Sequence, residues 1–429
     1  MEDNKVTIYR LKDTPIYADA EEIAWVDHSR MLDGLCPRRR YIRYHHDGMG
    51  VIGTGRNEDT GIGGTIHEGL DLLFQGGQLD KALEVARDYY EALPPWPSYM
   101  LPEQTEVLAA DHMHLSWAFI YGFNYAYLPQ IMEEYQVLEV EEEINWLLTE
   151  INPPIFGKKY LVMMSRPDGV LRHRKNAELW HMSHKSYNGV FNDLKIMQLD
   201  TDSQRMAESL AIMAKYGEVP TGSIYNYFLK GRKSLDEKYG VERYTNGLIR
   251  PYMQRQTPGG EILPEFLAFN YEWEVLDMVD HTIKSKRLGK GWERVAIYNE
   301  MDFWTYLSWL EHSYIKPPNM PVGRDHLAES IAGNVPVYFN LDHAYRWAEG
   351  QAVKEINWVN HLYAVEGGSL DDPNDNTFNY EFPLEQSQCF SYNRPCSYHP
   401  ICWKGVPITH LLETGALLPR DPNHIQEGE

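Results

Sequence analysis

The sequence predicts an α/β protein in which a mixed central sheet is flanked by helices. Apolar residues recur at helical spacing over 65–93 and 102–135, three strand-like segments occupy 136–186, and a helix and a further strand follow. Helices, three strands, a helix and a strand, in that order, are typical of a mixed α/β core. Hydrophobic residues make up 43% of the 429-residue chain and aromatic residues 13%, which is enough to build such a core.

The N-terminal part of the chain is predicted to be mainly helical. Asp27 and Ser29 are capping candidates at the start of a helix over 27–44. Residues 47–64 are rich in glycine, but they lack the Gly-Lys-Ser or Gly-Lys-Thr ending of a phosphate-binding loop. We therefore expect a mobile loop there and no nucleotide site. One or two helices are expected over 65–93 and another long helical stretch over 102–135.

The next part of the chain is predicted to combine strands and helices. A strand is expected over 136–148, where Glu139, Glu141 and Glu143 would share one face because alternate strand residues point the same way. The remaining elements expected are strands over 158–174 and 177–186, a helix over 202–217, a strand over 221–231, a mainly helical stretch over 260–350 and a turn-rich stretch over 365–388.

Composition and charge exclude several classes of protein. The chain has no run of about 18 apolar residues and begins with a polar segment, so we expect no membrane span and an intracellular protein. The 40 basic and 62 acidic residues give a net charge of −22, which would repel nucleic acid over most of the surface. Contact with DNA would then depend on local basic patches, although a solvated face explains such patches equally well. The candidate residues are Arg38, Arg39, Arg40, Lys230 and Arg232.

Three of the four cysteines lie close together near the end of the chain, and the fourth lies near its start. Cys389, Cys396 and Cys402 have the spacing C-x6-C-x5-C, whereas Cys36 is 353 residues before Cys389. So few thiols argue against a secreted disulfide scaffold. Zinc sites usually pair cysteines two to four positions apart, so four irregularly spaced thiolates favour a [4Fe–4S] cluster, with one cysteine for each iron. Zinc and free buried cysteines are the alternatives.

A second motif lies between these cysteines in the sequence. Pro167-Asp168 precedes Ser183 and Lys185 with fourteen residues between Asp168 and Ser183. A carboxylate on this pattern would hold Mg²⁺ or Mn²⁺, which prefer oxygen ligands. The cation would acidify a water and neutralise phosphate charge, and the lysine would stabilise developing negative charge. The pattern is therefore typical of a metal-dependent nuclease.

With these landmarks the chain resembles the iron–sulfur subgroup of the RecB-type PD-(D/E)XK nucleases, which includes the AddB nuclease domain and the CRISPR-adaptation nucleases. The resemblance covers about residues 27–260 and 380–402. It implies a restriction-endonuclease-like core with helical insertions and an Fe–S clasp that joins the N- and C-terminal parts. The residues that match the family pattern are His67 and Asp168 as metal ligands, Glu141 as an acid on the first core strand, Lys185 as the catalytic lysine, Gln204 as the residue that positions the lysine or DNA, and Cys36, Cys389, Cys396 and Cys402 as cluster ligands.

The chain departs from the family pattern within the catalytic motif. Ser183 stands where a second metal-binding acid is expected, and a neutral hydroxyl is a poor ligand for Mg²⁺. Glu208 replaces an aromatic residue four positions after Gln204. Asp193-Leu194-Lys195 is an alternative match to the motif, on a less strand-like segment. The nearby residues His173, His181 and His184 are expected to be incidental.

The resulting hypothesis is a metal-dependent DNA nuclease of phage or mobile-element type, which processes DNA ends or single strands. It would act in the cytoplasm, that of the host cell if a phage encodes it, with a recombination or replication protein as a candidate partner. The alternatives are a catalytically degenerate nuclease-fold protein that binds nucleic acid or a protein partner, and a zinc-stabilised α/β scaffold. We expect a single domain over 1–429, with an N-terminal helical part (27–135), an α/β catalytic core (136–260), a helical insertion (261–365) and a C-terminal Fe–S tail (366–429).

Overall fold

The computed structural model describes residues 5–46, 50–54, 56, 58–97, 99–189, 191–236, 239–244, 253–256, 262–265, 330–365, 380–383, 385–389 and 396–420. The strands among them are β1 (Lys5–Ile8), β2 (Ile16–Asp19), β3 (Ile23–Val26), β4 (Val51–Gly53), β5 (Tyr135–Glu139), β6 (Ile144–Ile155), β7 (Lys158–Ser165), β8 (Gly169–His173), β9 (Leu179–Tyr187), β10 (Gly222–Leu229), β11 (Lys233–Asp236), β12 (Val241–Tyr244), β13 (Met253–Gln256), β14 (Ile262–Glu265), β15 (Ile331–Tyr338) and β16 (Leu417–Pro419). The α-helices are α1 (His28–Asp33), α2 (Pro37–Tyr44), α3 (Glu58–Phe74), α4 (Leu79–Ala92), α5 (Pro102–Ala126), α6 (Leu128–Glu134), α7 (Asp193–Leu199), α8 (Ser203–Tyr216), α9 (Leu341–Ala364), α10 (His399–Lys404) and α11 (Ile408–Glu413).

A five-stranded mixed sheet forms the centre of the fold, with the strand order β15–β10–β9–β8–β5. Strands β9 and β10 are parallel, and the other neighbouring pairs are antiparallel. Parallel neighbours need a crossover connection, which α7 and α8 provide between β9 and β10. A three-stranded sheet in the order β3–β7–β6 packs against the same helix, α8. The expected α/β class, with a mixed sheet flanked by helices, is confirmed.

Helices cover both faces of the central sheet. The side chains of β9 point alternately to the two faces, so they contribute to an apolar core on each. Trp180 and Met182 belong to the apolar core that α3, α4, α5 and α6 build on one face. Leu179 belongs to a second core on the other face, where it packs with Leu210 of α8. No helix within the described ranges combines the length and the apolar character needed to cross a membrane.

The helix expected over 27–44 is in fact two helices. Helix α1 ends at Asp33, and α2 begins at Pro37 with Cys36 as its N-cap residue. Proline has no backbone N–H with which to continue α1, but its fixed φ suits the first turn of a new helix. The break places Cys36, a buried residue, at the junction between the two helices.

The prediction of a mobile loop over 47–64 is wrong for most of the described residues of this segment. Strand β4 occupies Val51–Gly53, and α3 begins at Glu58, so the last glycines of the segment are helical. A Cβ at Gly64 would clash with Tyr89 of α4, so the close packing of α3 on α4 requires glycine there. Residues 47–49, 55 and 57 lie outside the described residues.

Two segments expected as single strands each divide between different sheets. Residues 136–148 form the end of β5 and the start of β6, and 158–174 form β7 and β8. Glu141 lies between β5 and β6 with φ 52°, a left-handed conformation, so Glu139, Glu141 and Glu143 do not share a strand face. Pro167 separates β7 from β8, since proline cannot donate to a strand ladder. Glu141 and Asp168 therefore both lie where the chain passes between the two sheets.

The mainly helical insertion expected over 261–365 also contains strands. Strand β15 is an edge strand of the central sheet, and β14 pairs with β13. Helix α9 follows β15 and contacts α8 and β6. Residues 266–329 and most of the turn-rich stretch over 366–388 lie outside the described residues. The helix expected over 202–217 is confirmed as α8, whose N-cap residue Asp202 accepts the backbone N–H groups of Gln204 and Arg205.

Candidate metal centre

Three potential metal ligands from different parts of the chain converge at the junction of the two sheets. His67 comes from α3, Glu141 from the β5–β6 connection and Asp168 from the β7–β8 connection. His67 Nδ1 lies 3.4 Å from Asp168 Oδ1 and 3.6 Å from Glu141 Oε1. One donor atom from each residue lies within 4.8 Å of the others, and no second group of this kind occurs among the described residues.

The two acids are held in place by neighbouring groups. Arg166 Nε donates to Glu141 Oε2 at 2.9 Å, which fixes the carboxylate from the side away from His67. Asp168 is buried, and its Oδ2 accepts the backbone N–H of His184 in β9. Because a backbone N–H in a sheet cannot move freely, this hydrogen bond anchors Asp168 to the central sheet.

The pKa values of these groups reflect a concentration of negative charge. Burial opposes protonation of His67, but Asp168 and Glu141 outweigh it and raise the pKa of His67 to about 9. Burial would raise the pKa of Asp168, yet His67 and Lys185 hold it well below its ordinary value. Burial raises the pKa of Glu141. It also raises the pKa of Asp71 to about 8, together with the charge of Glu141.

These donor atoms fit a divalent cation. One imidazole nitrogen and two carboxylates are ligands that Mn²⁺ accepts, and carboxylates also suit Mg²⁺. Burial is the largest cause of the raised pKa of Asp71, and the negative charges of Glu141 and Asp168 add to it. A divalent cation bound among these carboxylates would offset that negative charge.

Lys185 belongs to a chain of polar side chains on the other face of β9, which is covered by α8. Lys185 Nζ donates to Gln204 Oε1 at 2.7 Å, and Gln204 Nε2 donates to Glu208 Oε1 at 2.8 Å. Glu208 Oε2 lies 2.9 Å from His181 Nε2. Burial opposes protonation of Lys185, but Asp168 and Glu208 raise its pKa, so the lysine stays charged.

Ser183 lies between His181 and Lys185 on the α8 face of β9, and only 1% of its surface is exposed. It does not belong to the group of three potential metal ligands. The second acid in that group is Glu141, from the β5–β6 connection. The alternative motif at 193–195 is wrong as a strand motif, because these residues form the first turn of α7.

The histidines of β8 and β9 have different surroundings. His184 lies in the apolar core, where its ring stacks on Phe74 and meets Phe123 edge-on, and burial lowers its pKa to about 3. Its Nδ1 also lies 3.3 Å from Asn226 Nδ2, and its ring meets that of His67 edge-on. His181 is not incidental, since it is fully buried and contacts Glu208.

None of the four cysteines forms a disulfide. Cys36 and Cys389 are buried, and Cys396 N–H donates to the carbonyl oxygen of Cys389 at 2.8 Å. Burial raises the pKa of Cys402 to about 12, and the charges of the other three thiols also act on it, so the four lie in one neighbourhood. Around a single zinc ion, sulfur atoms would lie about 3.8 Å apart. Within the described ranges no three of them come within 4.8 Å of one another.

Several residues expected to contact DNA are engaged inside the fold instead. Arg38 is buried and donates to the carbonyl oxygen of Phe382 at 2.9 Å. Arg40 is buried in an ion pair with Glu355, and Lys230 is also buried. The expectation of DNA contact is wrong for these three because a buried guanidinium or ammonium cannot reach a phosphate. Arg39 pairs with Asp33 and stays partly exposed, and Arg232 is exposed.

Sequence reasoning missed three residues of the site. Asp71 follows His67 by four positions on α3, so helical spacing would have placed it on the same face. Glu208 departs from the family motif, which gives it no expected role. It follows Gln204 by about one turn of α8, so helical spacing would have placed the two side chains together. Arg166 gave no local signal, since its contact with Glu141 depends on the junction of two sheets.

Comparison with known proteins does not assign the chain to a family. No family model matches the sequence. No curated protein matches it significantly.

Proposed function

We propose that this protein is a divalent-metal-dependent deoxyribonuclease with a restriction-endonuclease-like core. The observation that carries the proposal is the convergence of His67, Glu141 and Asp168 within 4.8 Å, with the charged Lys185 acting electrostatically on Asp168. Phosphodiester hydrolysis needs positive charge against the phosphate and an activated water. A cluster of acids beside a half-buried lysine is suited to both tasks.

Each residue has a distinct role in this proposal. Mg²⁺ or Mn²⁺ bound by His67, Glu141 and Asp168 would supply charge against the scissile phosphate and a more acidic water. Lys185 Nζ would stabilise negative charge that develops on the phosphate during attack. Gln204 would hold that ammonium group in place through its 2.7 Å contact.

We propose in addition that the four cysteines hold a structural [4Fe–4S] cluster. A cluster takes one thiolate on each of four irons, so its ligands lie further apart than around a single ion. The common neighbourhood of the thiols, without close contact, is compatible with that arrangement. The tail is already fastened to the N-terminal part, because β16 pairs with β4 and the Tyr398 hydroxyl donates to the Val51 carbonyl oxygen at 2.6 Å.

The second candidate function is a nuclease-fold protein that binds nucleic acid or a protein partner without cleavage. Ser183 favours it, because the motif lacks its second acid. The burial of Arg38, Arg40 and Lys230 weakens DNA binding in either case, since it removes cations from the surface.

Cleavage assays with anaerobically purified protein decide between the two. We expect end-labelled single-stranded and duplex DNA to be degraded with Mn²⁺ or Mg²⁺, and Lys185→Ala to reduce the rate at least about 100-fold with unchanged Mn²⁺ binding. Intact DNA in every reaction, with both metals, would reject the nuclease in favour of the binding protein.

A further inference from the structure

Lys185, Gln204 and Glu208 form a hydrogen-bonded series of side chains on the α8 face of β9. Which group donates and which accepts is set by their chemistry. Lys185 can only donate hydrogen bonds, and an ionised Glu208 can only accept them. The amide of Gln204 between them must therefore turn its oxygen toward Lys185 and its nitrogen toward Glu208, as the 2.7 Å and 2.8 Å contacts have it. Without an acceptor oxygen at position 208, the amide would be free to turn.

Glu208 is itself held tightly on the sheet. It is 4% exposed and lies 2.9 Å from His181 Nε2, while His181 Nδ1 contacts the Ser223 hydroxyl at 3.0 Å. The four side chains span the strand from position 181 to 185, about 13 Å. They close the α8 face of β9 over Ser183, where the family pattern would place an acid.

We infer that Glu208 is a positioning residue of the proposed active site, which fixes the ammonium group of Lys185 through the side-chain amide of Gln204. The inference rests on the proposed function, because a positioning role for Glu208 requires that Lys185 acts in catalysis. The carboxylate of Glu208 reaches Lys185 through Gln204, whose amide contacts the lysine at 2.7 Å and the glutamate at 2.8 Å. Removal of Glu208 should free Lys185 without disturbing the metal ligands, because Glu208 is not one of the three side chains that converge there.

The first test measures Lys185 directly and does not depend on activity. Wild-type protein and the variants Glu208→Ala, Glu208→Gln and Gln204→Ala are acetylated briefly with acetic anhydride, and the rate at Lys185 is measured by mass spectrometry. Lys215, which is held by Glu139 and Glu142 near the end of the same helix, is the internal reference for unfolding of α8. Ser209→Ala is the matched control, because this buried hydroxyl on α8 has no hydrogen-bond partner among the described residues.

We expect Glu208→Ala and Gln204→Ala each to raise the acetylation rate of Lys185 at least about fivefold, the effect of losing a hydrogen bond to a charged group. The double variant Gln204→Ala/Glu208→Ala should be no faster than either single variant, because both substitutions interrupt the same series of side-chain contacts to Lys185. Glu208→Gln, which keeps an acceptor for Gln204, and Ser209→Ala should stay within about threefold of wild type. If Glu208→Ala does not fold, Gln204→Ala and Glu208→Gln carry the same test. Unchanged rates in Gln204→Ala, or Glu208→Gln as fast as Glu208→Ala, would overturn the inference.

The second test uses DNA cleavage with Mn²⁺ and separates catalysis from binding. Glu208→Ala is expected to lower kcat about tenfold, with KM for DNA and Mn²⁺ affinity unchanged, and Glu208→Gln should restore most of the rate. Equal losses in KM and Mn²⁺ affinity would mark a purely structural role and overturn the inference. Wild-type protein that does not cleave DNA would overturn the nuclease proposal alone, because acetylation still decides whether Glu208 fixes Lys185.

Discussion

Asp168→Asn removes one charge from the candidate metal centre while it keeps the shape of the side chain. The asparagine oxygen can still accept the backbone N–H of His184, so we expect the β7–β8 connection to keep its path. The electrostatic effect on His67 can be worked from the structure. His67 Nδ1 lies 3.4 Å from Asp168 Oδ1, a distance at which unit charges attract by about 5 kcal/mol with an effective dielectric constant of about 20.

This attraction exceeds the whole increase in the pKa of His67. The pKa of His67 stands at about 9 against an ordinary value of 6.5. That difference corresponds to about 3.4 kcal/mol. Without the charge of Asp168, the pKa of His67 should fall clearly below 9, while Glu141 at 3.6 Å still favours the imidazolium. Histidine side-chain NMR of the metal-free protein measures this directly, and a pKa that stays near 9 in Asp168→Asn would refute the reasoning.

The same substitution should lower the affinity for Mn²⁺ at least about 100-fold, since losing even an outer partner of a metal ligand costs 10- to 100-fold. Isothermal titration calorimetry on metal-free protein gives the affinity. Asp111→Asn is the matched control, because Asp111 is also a buried aspartate but pairs with Arg243 instead of the metal centre. Equal affinities in wild type and Asp168→Asn would contradict the assignment of Asp168 as a ligand.

Four further outcomes follow from the proposed sites. Mn²⁺ affinity should rise from pH 6.5 to 9, with proton release seen by calorimetry in two buffers, because the pKa of His67 is about 9 and a ligand must be neutral. In the metal-free protein, the folded pKa of His67 lies above its unfolded value. The resulting stabilisation is therefore complete below pH 6.5 and lost as the pH rises through 9, and a rise in unfolding free energy there would count against it. Ser183→Glu should destabilise the fold by about 3 kcal/mol in urea unfolding, since Ser183 is 1% exposed and lies below α8, and wild-type stability would show that the site has room for an acid. Cys36→Ser should reduce the iron and sulfide content of anaerobically purified protein, whereas wild-type protein without iron would exclude the cluster.

Local signals in the sequence predict the elements that depend on neighbouring residues. Asp202 accepts the first backbone N–H groups of α8, and the apolar spacing of the helix matches its packing on the sheets. The alternation along β9 likewise places His181, Ser183 and Lys185 on one face, as expected for a strand. These features need no information about distant parts of the chain.

The features that sequence reasoning missed depend on distant pairing. Residues 136–148 and 158–174 each look like one strand, but the chain changes sheets within both, near Glu141 and near Pro167. Hydrophobic alternation cannot show this, because it does not say which strand is the neighbour. Arg40 looks like a surface cation until Glu355, 315 positions later, comes to face it. Arg40 therefore belongs to an ion pair inside the fold and not to a surface patch.

The position of a bound cation tests the proposed metal centre most directly. Crystals grown or soaked with Mn²⁺ would locate it by anomalous diffraction at the manganese edge. We predict one strong peak at roughly 2.2 Å from His67 Nδ1 and from carboxylate oxygens of Glu141 and Asp168. A structure of the fully folded protein that binds Mn²⁺ elsewhere, with no peak among these three side chains, would contradict the proposed centre.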